Sequence, residues 1–305
     1  MAEPDPVDDS PVSLLFNPTA GRGRAGRLAG AISSLLTENG IRHDAVPSRA
    51  AGDIERLAFE AASAGQQRIV VAGGDGSIYE AVNGILRANS KAGLGVIPVG
   101  TGNDFAKACS IPLHWEHAAS LLADRLTSRA PPLLLDAGRC NDRYFANGVG
   151  VGFDAKVSAI AKSIRLKIGD LVYLLAIFRA MAQGIESPRL TMKFGGEIYE
   201  GSLTLANIAN GSWVGGMFYI APHARNDDGV LNLVYAKPVT RRRIVALLPK
   251  LMNGTHLDAP EIFQAPVRKC EIIADEPIPS HLDGEVQPPA TDFRIEIVPS
   301  ALRLL

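Results

Sequence analysis

Residues 70–86 read VVAGGDGSIYEAVNGIL, a short apolar run followed by a glycine-rich turn and an amphipathic pattern. The apolar run predicts a buried strand, and the helical spacing of the apolar residues after the turn predicts an amphipathic helix. The turn between them consists of Gly73, Gly74, Asp75, Gly76 and Ser77. Glycines let the backbone approach an anion closely, and the free amides at a helix N-terminus favour negative charge. The segment therefore predicts a turn that binds phosphate groups, called the GGDGS turn below.

A second segment, residues 94–108, repeats this order with the sequence LGVIPVGTGNDFAKA. Gly100 begins a turn after an apolar strand, and Thr101 offers a hydroxyl group to a phosphate. We expect Asn103 or Asp104 to cap the short helix that follows, because their side chains can accept hydrogen bonds from its first amides.

Another glycine-rich turn, called the first turn because it comes earliest in the chain, ends the first predicted strand within residues 14–26 of sequence LLFNPTAGRGRAG. This turn carries Arg22 and Arg24, and Arg27 lies just beyond it. All three turns follow strands of a predicted parallel sheet, and ligands of such sheets bind beyond the carboxyl ends of the strands. We therefore expect the turns to converge on one crevice. None of the three turns has a Walker A order, and the GGDGS turn lacks the Rossmann GxGxxG order, which disfavours P-loop NTPases and dehydrogenases.

The spacing of strands and helices divides the chain into two parts. From residue 11 to 136, apolar runs alternate with helical patterns, which predicts a Rossmann-like α/β domain on a parallel sheet. From residue 137 to 295, short strand-like runs between glycine, asparagine and aspartate turns predict a β-rich antiparallel sandwich. Helical stretches at residues 156–182 and 240–252 interrupt the second part. The predicted fold class is therefore α/β followed by β.

Composition limits the partners and the location. The 305 residues contain 31 basic and 32 acidic side chains, so no overall positive field favours nucleic acid. Residues 1–10 are acidic and lack the features of a secretory signal, so we expect a disordered leader. The longest apolar run, residues 171–178, is far shorter than the roughly 20 residues that cross a bilayer. Three widely separated cysteines suit a reducing compartment, and we expect a cytoplasmic protein.

Three motifs together resemble one family. The GGDGS turn, GTGNDFA at residues 100–106 and the late sequence Asp283, Gly284, Glu285 are similar to the diacylglycerol kinase catalytic family, in its bacterial lipid kinase branch related to NAD kinases. The resemblance extends from about residue 14 to residue 305. It implies an amino-terminal lobe that binds ATP, a carboxyl-terminal lobe that faces a lipid, and Mg²⁺ as the metal cofactor. It also implies that the last strand, about residues 296–305, returns to the first lobe.

The resemblance assigns the ATP contacts largely to the three turns. Asn17 and Gly21 shape the first turn, and Ser48 and Thr101 contact the nucleotide. A continuous run is also assigned to ATP binding: Gly74, Asp75, Gly76, Ser77, Ile78, Tyr79 and Glu80. The candidate nucleotide site is completed by residues that lie in the same turns: Gly73, Gly100, Asn103 and Asp104.

Carboxylates are the candidates for the chemistry. The resemblance places Glu285 at the position of the family's proton acceptor, with Asp283 in the same turn, and the residues alone leave open which of the two is the base. Asp75 is expected to orient Mg²⁺ or the incoming hydroxyl, because a carboxylate beside phosphates is repulsive unless one of these lies between them. His223 and His281 lie near the aspartate turns and are candidates for supporting roles.

The sequence RNDDGV at residues 225–230 matches the family's magnesium loop. The resemblance implies that Asp228 binds the ion through its side chain, and that Arg225 and Val230 bind through their carbonyls. Asp-Gly pairs, here and in the late turn, are also typical of two-residue hairpin turns, so the motif alone does not decide between a turn and a ligand.

Two other functions share parts of this pattern. An NAD kinase also has a GGDG turn and a β-rich second lobe, but GTGNDFA and the late Asp-Gly-Glu favour a lipid kinase. A catalytically silent lipid-binding protein has little use for four such carboxylates: Asp75, Asp228, Asp283 and Glu285. We therefore expect an ATP-dependent lipid kinase with diacylglycerol as the first choice of acceptor. Sphingoid bases, ceramide and phosphatidylglycerol are the alternatives.

The segment at residues 162–180, KSIRLKIGDLVYLLAIFRA, begins with cations and continues with apolar residues. Such a segment either lies against acyl chains with its cations at the headgroups or packs as a core helix. We expect a lipid partner, peripheral contact with the inner face of a membrane and no nucleic-acid partner, and we allow for a homodimer.

Overall fold

The computed structural model describes residues 10–164, 169 and 171–305. The predicted leader lies outside the described residues up to position 9, and the predicted helical stretch 156–182 lies outside them at 165–168 and 170. Within the described ranges, no helix is long and apolar enough to cross a membrane.

Strands and helices alternate in the first part of the chain, and strands dominate the second. The strands are β1 Val12–Phe16, β2 His43–Pro47, β3 Arg68–Gly73, β4 Gly93–Pro98, β5 Leu133–Cys140, β6 Arg143–Phe145, β7 Gly148–Gly152, β8 Arg189–Phe194, β9 Glu197–Ser202, β10 Leu205–Ala209, β11 Leu231–Ala236, β12 Ile262–Val267, β13 Lys269–Leu282 and β14 Glu285–Leu304. The helices are α1 Ala20–Glu38, α2 Asp53–Ser63, α3 Asp75–Arg87, α4 Asp104–Ala108, α5 Trp115–Thr127, α6 Phe153–Ser163, α7 Leu171–Gln183 and α8 Arg241–Met252, with a short 3₁₀ helix at His256–Asp258.

Within the described residues, one continuous sheet of 14 strands contains a parallel and an antiparallel part. Strands β2, β1, β3 and β4 lie parallel in that order, and the end of β14 pairs in parallel with β4, where Arg303 lies opposite Gly93. The order then continues from β14 through β13, β7, β10, β11 and β12 in antiparallel pairs. The boundary predicted after residue 136 falls inside β5, which pairs with β14 and β6. The fold class predicted from the sequence is confirmed.

The strands of the parallel part are covered on both faces. In β3, Ile69 and Val71 pack towards α2 and α3, whereas Val70 and Ala72 pack towards α1 and α5. This alternation follows from the two-residue repeat of a strand, and burial on both faces explains why these strands read as continuous apolar runs. With helices on both faces, the carboxyl edge of the sheet is left to the loops that carry the predicted site.

The buried Asn83 ties α3 to the β-rich part. Its Nδ2 donates to the carbonyls of Tyr79 and Tyr144, both at 2.9 Å, and its Oδ1 accepts the amide hydrogen of Tyr144 at 3.0 Å. Next to Tyr144, Arg143 forms an ion pair with Glu55 of α2. Both α3, which follows the GGDGS turn, and its neighbour α2 are thereby tied to β6.

Replacing Asn83 with leucine is expected to lower the free energy of unfolding by about 2 to 4 kcal/mol, because each buried backbone group left unpaired costs about 1 to 3 kcal/mol. Equilibrium unfolding in urea measures this change. Asn39 ends α1 on the exposed surface and is the matched control, so Asn39→Leu should have little effect. Equal losses in the two variants would contradict the role given to Asn83.

Two predicted helices differ from the observed ones. The stretch predicted at residues 156–182 forms two helices, because Ile164 leaves the helical region with a ψ of 116° and ends α6. Helix α1 is assigned from Ala20, but the three residues that follow have positive φ, so its regular part begins nearer the predicted residue 27.

Candidate active site

The three glycine-rich turns meet at the carboxyl edge of the parallel strands. A Cβ atom on Gly100 would lie 2.5 Å from the Cα of Gly74, and one on Gly21 would lie 2.1 Å from the carbonyl oxygen of Val99. Both distances are shorter than any stable contact between such atoms, so only glycine fits where the turns touch. Gly21 also has a φ of 57°, a left-handed conformation that favours glycine. The structure therefore brings the turn at Gly100 into backbone contact with both the turn at Gly21 and the GGDGS turn.

A cavity of about 320 Å³ opens beside these turns, between the parallel part and the β-rich part. Its lining includes seven of the residues predicted for the site: Asp75, Gly76, Ile78, Thr101, Asp104, Asp283 and Glu285. Lys162, Tyr173, Asn207 and His281 line it from the other side. Carboxyl groups from both parts of the molecule thus face one space.

Asp75, the first residue of α3, caps the neighbouring helix α4. Its Oδ1 accepts the amide hydrogen of Phe105 at 3.2 Å, and the amides of Asn103 and Asp104 also stabilise its carboxylate. The prediction that Asn103 or Asp104 caps α4 is wrong, because the Asn103 side chain donates instead to the carbonyl of Gly100. Burial raises the pKa of Asp75 although these amides act in the opposite direction.

Asp104 lies beside Asp75 and is 9% exposed. Its Oδ1 accepts the amide hydrogen of Gly216 at 2.9 Å. A Cβ on Gly102 would lie 3.0 Å from Oδ2 of Asp75 and 3.7 Å from Oδ2 of Asp104, so both carboxyl groups face the same point. Burial, together with the negative charge of Asp75, raises the pKa of Asp104 to about 8. The pair therefore holds a proton near neutral pH in the absence of a cation.

The substitution Asp104→Asn is expected to flatten the pH dependence of thermal stability in magnesium-free buffer. An acid whose pKa is higher in the folded state than in the unfolded state stabilises the fold. This stabilisation is complete below the unfolded pKa and is lost as the pH rises through the folded pKa. For Asp104 this window runs from 3.8 to about 8. The melting midpoint of the unaltered protein should fall across that window, and that of the variant, which keeps an acceptor for Gly216, should fall less. Equal slopes would contradict the raised pKa.

Asp283 supports the late turn. Its Oδ1 accepts the amide hydrogens of Asn147 and Gly148, both at 2.8 Å, and its Oδ2 accepts that of Ala146 at 2.7 Å. Burial raises the pKa of Asp283 to about 6 despite these amides. Asp283 and Gly284 have φ values of 50° and 80°, as in a two-residue hairpin turn. Both carboxylate oxygens are engaged by backbone, so this residue is placed to hold the turn.

Glu285 lines the cavity with its carboxylate close to the GGDGS turn. A Cβ on Gly76 would lie only 2.7 Å from Oε1 of Glu285. Its Oε2 forms an ion pair with the ammonium group of Lys162, in the last turn of α6, and its side chain is 35% exposed. Of the two carboxylates left open by the sequence, the geometry favours Glu285 as the one that can reach a substrate.

Ser77 and Tyr79 point away from the open cavity. A Cβ on Gly73 would lie 2.7 Å from Oγ of Ser77, so the hydroxyl packs back against its own turn. The Tyr79 hydroxyl accepts a hydrogen bond from Nε of Arg143 at 3.2 Å, and the Arg143 guanidinium lies 5.4 Å from the centre of the Tyr79 ring. Both residues support α3 in this structure, and their predicted contact with ATP stays a prediction.

Glu80 and Asn17 also have structural partners. The carboxylate of Glu80 accepts the amide hydrogens of Gly52 and Ile54, at 2.9 and 3.1 Å, and so satisfies the N-terminus of α2. Oδ1 of Asn17 accepts hydrogen bonds from the amide and the hydroxyl of Thr19, at 2.9 and 2.8 Å, and these bonds shape the first turn. The nearby Ser48 is buried after β2, where its amide donates to the carbonyl that ends β1.

The predicted magnesium loop, residues 225–230, forms a turn, and none of its residues is among the described residues that line the cavity. The amide of Gly229 donates to the buried Asp136 at 2.6 Å, and an oxygen of the exposed Asp228 accepts the amide hydrogen of Val230 at 3.0 Å. No group of three His, Cys, Asp or Glu side chains among the described residues is placed to hold a metal. A carboxylate and backbone carbonyls are nevertheless the oxygen donors that Mg²⁺ prefers, so the donor set fits this ion.

Sequence reasoning missed the ion pair between Lys162 and Glu285. The two residues are 123 positions apart, and the sequence indicates only that Lys162 begins a basic and apolar segment. It also missed a buried partner of His281, namely Asp154, whose position in the first turn of α6 gives no sign of that contact.

Comparisons with known proteins agree with the fold and the motifs. Residues 11–135 match the diacylglycerol kinase catalytic domain, and residues 147–305 match the YegS C-terminal NAD kinase beta sandwich-like domain. A protein of Pseudomonas aeruginosa named "Probable lipid kinase YegS-like" is 32% identical over 83% of this chain and 81% of its own length. The diacylglycerol kinase of Bacillus subtilis is 28% identical over 89% of this chain and 88% of its own length.

A crystal structure of a diacylglycerol kinase from Bacillus anthracis has the same fold. It superposes with a TM-score of 0.73 over 96% of both chains, at 21% identity. Together, the two domain matches cover nearly the whole chain in the order in which the site motifs occur. The chain therefore belongs to the diacylglycerol kinase family of lipid kinases.

Proposed function

We propose that this protein transfers the γ-phosphate of ATP to the hydroxyl of diacylglycerol, giving phosphatidic acid. The observation that carries the proposal is the position of Glu285, whose carboxylate lies close to Gly76 of the GGDGS turn and lines a cavity shared by both parts of the molecule. Membership in a lipid kinase family supports ATP as the phosphate donor.

The three glycine-rich turns would supply the nucleotide site. Free backbone amides at the N-terminus of α3 can bind phosphate oxygens, and their positions are set before the ligand arrives because the turns are in backbone contact. Thr101 lies in the cavity lining and would donate its hydroxyl to a phosphate oxygen. Positioning of this kind supplies much of the catalysis in phosphoryl transfer, where the protein makes few covalent steps.

In the chemical step, Glu285 accepts the proton of the lipid hydroxyl while that oxygen bonds to the γ-phosphorus. The bond between the γ-phosphorus and the oxygen that bridges it to the β-phosphorus breaks, and ADP leaves with the electron pair. Lys162, paired with Glu285, places a positive charge beside the transferred group, where it opposes the negative charge of the phosphate oxygens.

Magnesium is part of the proposal. Asp228, with the carbonyls of Arg225 and Val230, would hold one ion through oxygen donors. An Mg²⁺ ion bound with the ATP phosphates in the cavity, separate from the ion of this loop, would supply positive charge to the phosphate oxygens. Asp75 lies at the N-terminus of α4 and would orient such an ion or the incoming hydroxyl.

Exposed apolar side chains on α7 and α8 offer a route to a lipid. Leu171 and Phe178 of α7 are 54% and 45% exposed, and Val245 and Met252 of α8 are 45% and 43% exposed. Arg241 begins α8 and is also exposed. Apolar side chains next to cations are typical of surfaces that lie in a membrane interface, so we propose that these helices provide the peripheral membrane contact.

A labelling experiment tests the proposed function. The full-length protein is incubated with Mg²⁺ and γ-labelled ATP against diacylglycerol, ceramide, a sphingoid base, phosphatidylglycerol and NAD, with the lipids in mixed micelles. We expect label in phosphatidic acid. Label in another lipid alone would change the acceptor, label in NAD alone would overturn the lipid kinase assignment, and label in no acceptor would overturn the proposed transfer.

A further inference from the structure

His281 is a buried residue beside the late turn, and its two ring nitrogens have different partners. It is 2% exposed and lies near the end of β13, directly before the turn that carries Glu285. Its Nδ1 lies 3.1 Å from the amide nitrogen of Gly284, and its Nε2 lies 3.1 Å from Oδ2 of Asp154. An amide can only donate, so Nδ1 must be the acceptor and the ring proton must lie on Nε2.

Asp154 is held as the partner of this imidazole. Its Oδ2 also accepts a hydrogen bond from Nδ2 of Asn207 at 3.0 Å, and its Oδ1 accepts one from the Tyr173 hydroxyl at 3.1 Å. Burial alone would raise the pKa of Asp154, but His281 and these two donors lower it below its ordinary value. The carboxylate is therefore an acceptor that fixes the ring proton of His281 on Nε2.

Gly150 of β7 lies directly against His281 and Asp154. A Cβ on Gly150 of β7 would lie 2.2 Å from Nε2 of His281 and 2.4 Å from Oδ2 of Asp154. Gly150 therefore provides the space in which the imidazole and the carboxylate meet. The same helix α6 supplies Asp154 from its first turn and Lys162 from its last, so it contacts His281 at one end and Glu285 at the other.

We propose that His281 is a positioning residue for the candidate base, acting through the amide of Gly284, and that Asp154 sets the tautomer that makes this contact. The inference rests on the proposed function, in which Glu285 accepts the substrate proton. Asp283 anchors the late turn from one side through three amides, and His281 anchors it from the other. With both anchors in place, the Glu285 side chain faces Gly76.

Two substitutions separate the contacts of the ring. In His281→Asn the side-chain oxygen takes the place of Nδ1, so the acceptor for Gly284 remains while the donor to Asp154 is lost. In His281→Gln the side-chain nitrogen takes the place of Nε2, so the donor to Asp154 remains while the acceptor for Gly284 is lost. The pair therefore tests the Gly284 contact against the buried Asp154 contact.

We expect His281→Gln to lower kcat by about 10²-fold with an unchanged KM for ATP, because misplacing a reacting group by about 1 Å costs about that factor. His281→Asn should keep kcat within severalfold of the unaltered protein, although it should show the lower melting midpoint because the buried Asp154 loses a donor. His281→Gln should thus lose more activity, whereas His281→Asn should lose more stability. A purely structural role predicts that kcat follows the melting midpoint, and that result would overturn the proposal.

Amide hydrogen exchange gives a readout that needs no turnover. The Gly284 amide should exchange slowly in the unaltered protein and in His281→Asn, and faster in His281→Gln. If the unaltered protein labels no acceptor, the proposed function fails while the exchange rates still report on the contact. If His281→Gln does not fold, His281→Asn alone decides, because a large loss of its kcat or fast exchange at Gly284 would overturn the proposal.

Discussion

Replacing Glu285 with glutamine is expected to lower the rate of phosphoryl transfer by about 10²- to 10⁴-fold, the usual contribution of a general base. Glutamine has nearly the same size but cannot accept the substrate proton. It also removes the negative partner of Lys162, whose ion pair with Glu285 lies at a partly exposed position and contributes little to stability. The affinity for ATP should be unchanged, because the nucleotide is held by the turns. Initial rates with γ-labelled ATP and calorimetric titration of ATP measure the two quantities.

Two further variants make this experiment specific. Glu271→Gln, an exposed position on β13, changes the charge by the same amount and should have normal turnover. Asp283→Asn places an amide group among three backbone donors, so it should lower the free energy of unfolding by about 1 to 3 kcal/mol, which Glu285→Gln should not do. Normal turnover in Glu285→Gln would remove this residue from the role of base.

The aspartate and the glutamate of the late turn, Asp283 and Glu285, also show what a sequence can and cannot predict. The Asp-Gly pair indicates a turn because its backbone conformation is local. Which carboxylate faces the substrate depends on the amides of residues 146–148, which bind Asp283. These amides are more than 130 positions away in the sequence, so local spacing does not reveal the contact. The orientation of Asp283 and Glu285 therefore became clear only from the folded chain.

The strand–turn–helix segments were predicted well for the same physical reason. In residues 70–86 the buried strand, the glycine turn and the amphipathic helix are each encoded by residues within one window, and the structure has β3 and α3 there. The cap of α4 was predicted wrongly because its partner, Asp75, comes from the other turn. Contacts between segments, such as those of His281 with Asp154, have no local pattern that would reveal them.

The meeting point of the turns leads to the second large expected effect, that of Gly100→Ala. The added Cβ would lie 2.5 Å from the Cα of Gly74 and 2.7 Å from Oδ1 of Asn103. The first neighbour is backbone and cannot rotate away, so the two turns must separate. Overpacking of this kind costs about 1 to 3 kcal/mol of stability. We expect the ATP dissociation constant to rise about tenfold or more, since each 1.4 kcal/mol lost from binding is about a factor of ten.

Gly30→Ala is the matched control, because nothing lies within 4 Å of a Cβ at that position in α1. Alanine is the better helix former, so this variant should be as stable as the unaltered protein or more stable by up to about 1 kcal/mol, with the same ATP affinity. Both variants replace glycine with alanine, but urea unfolding and titration of ATP should show losses of stability and ATP affinity only in Gly100→Ala. An unchanged ATP affinity in Gly100→Ala would mean that the spacing between the two turns is not what holds the phosphates, and the nucleotide would then have to be placed by other residues of the cavity.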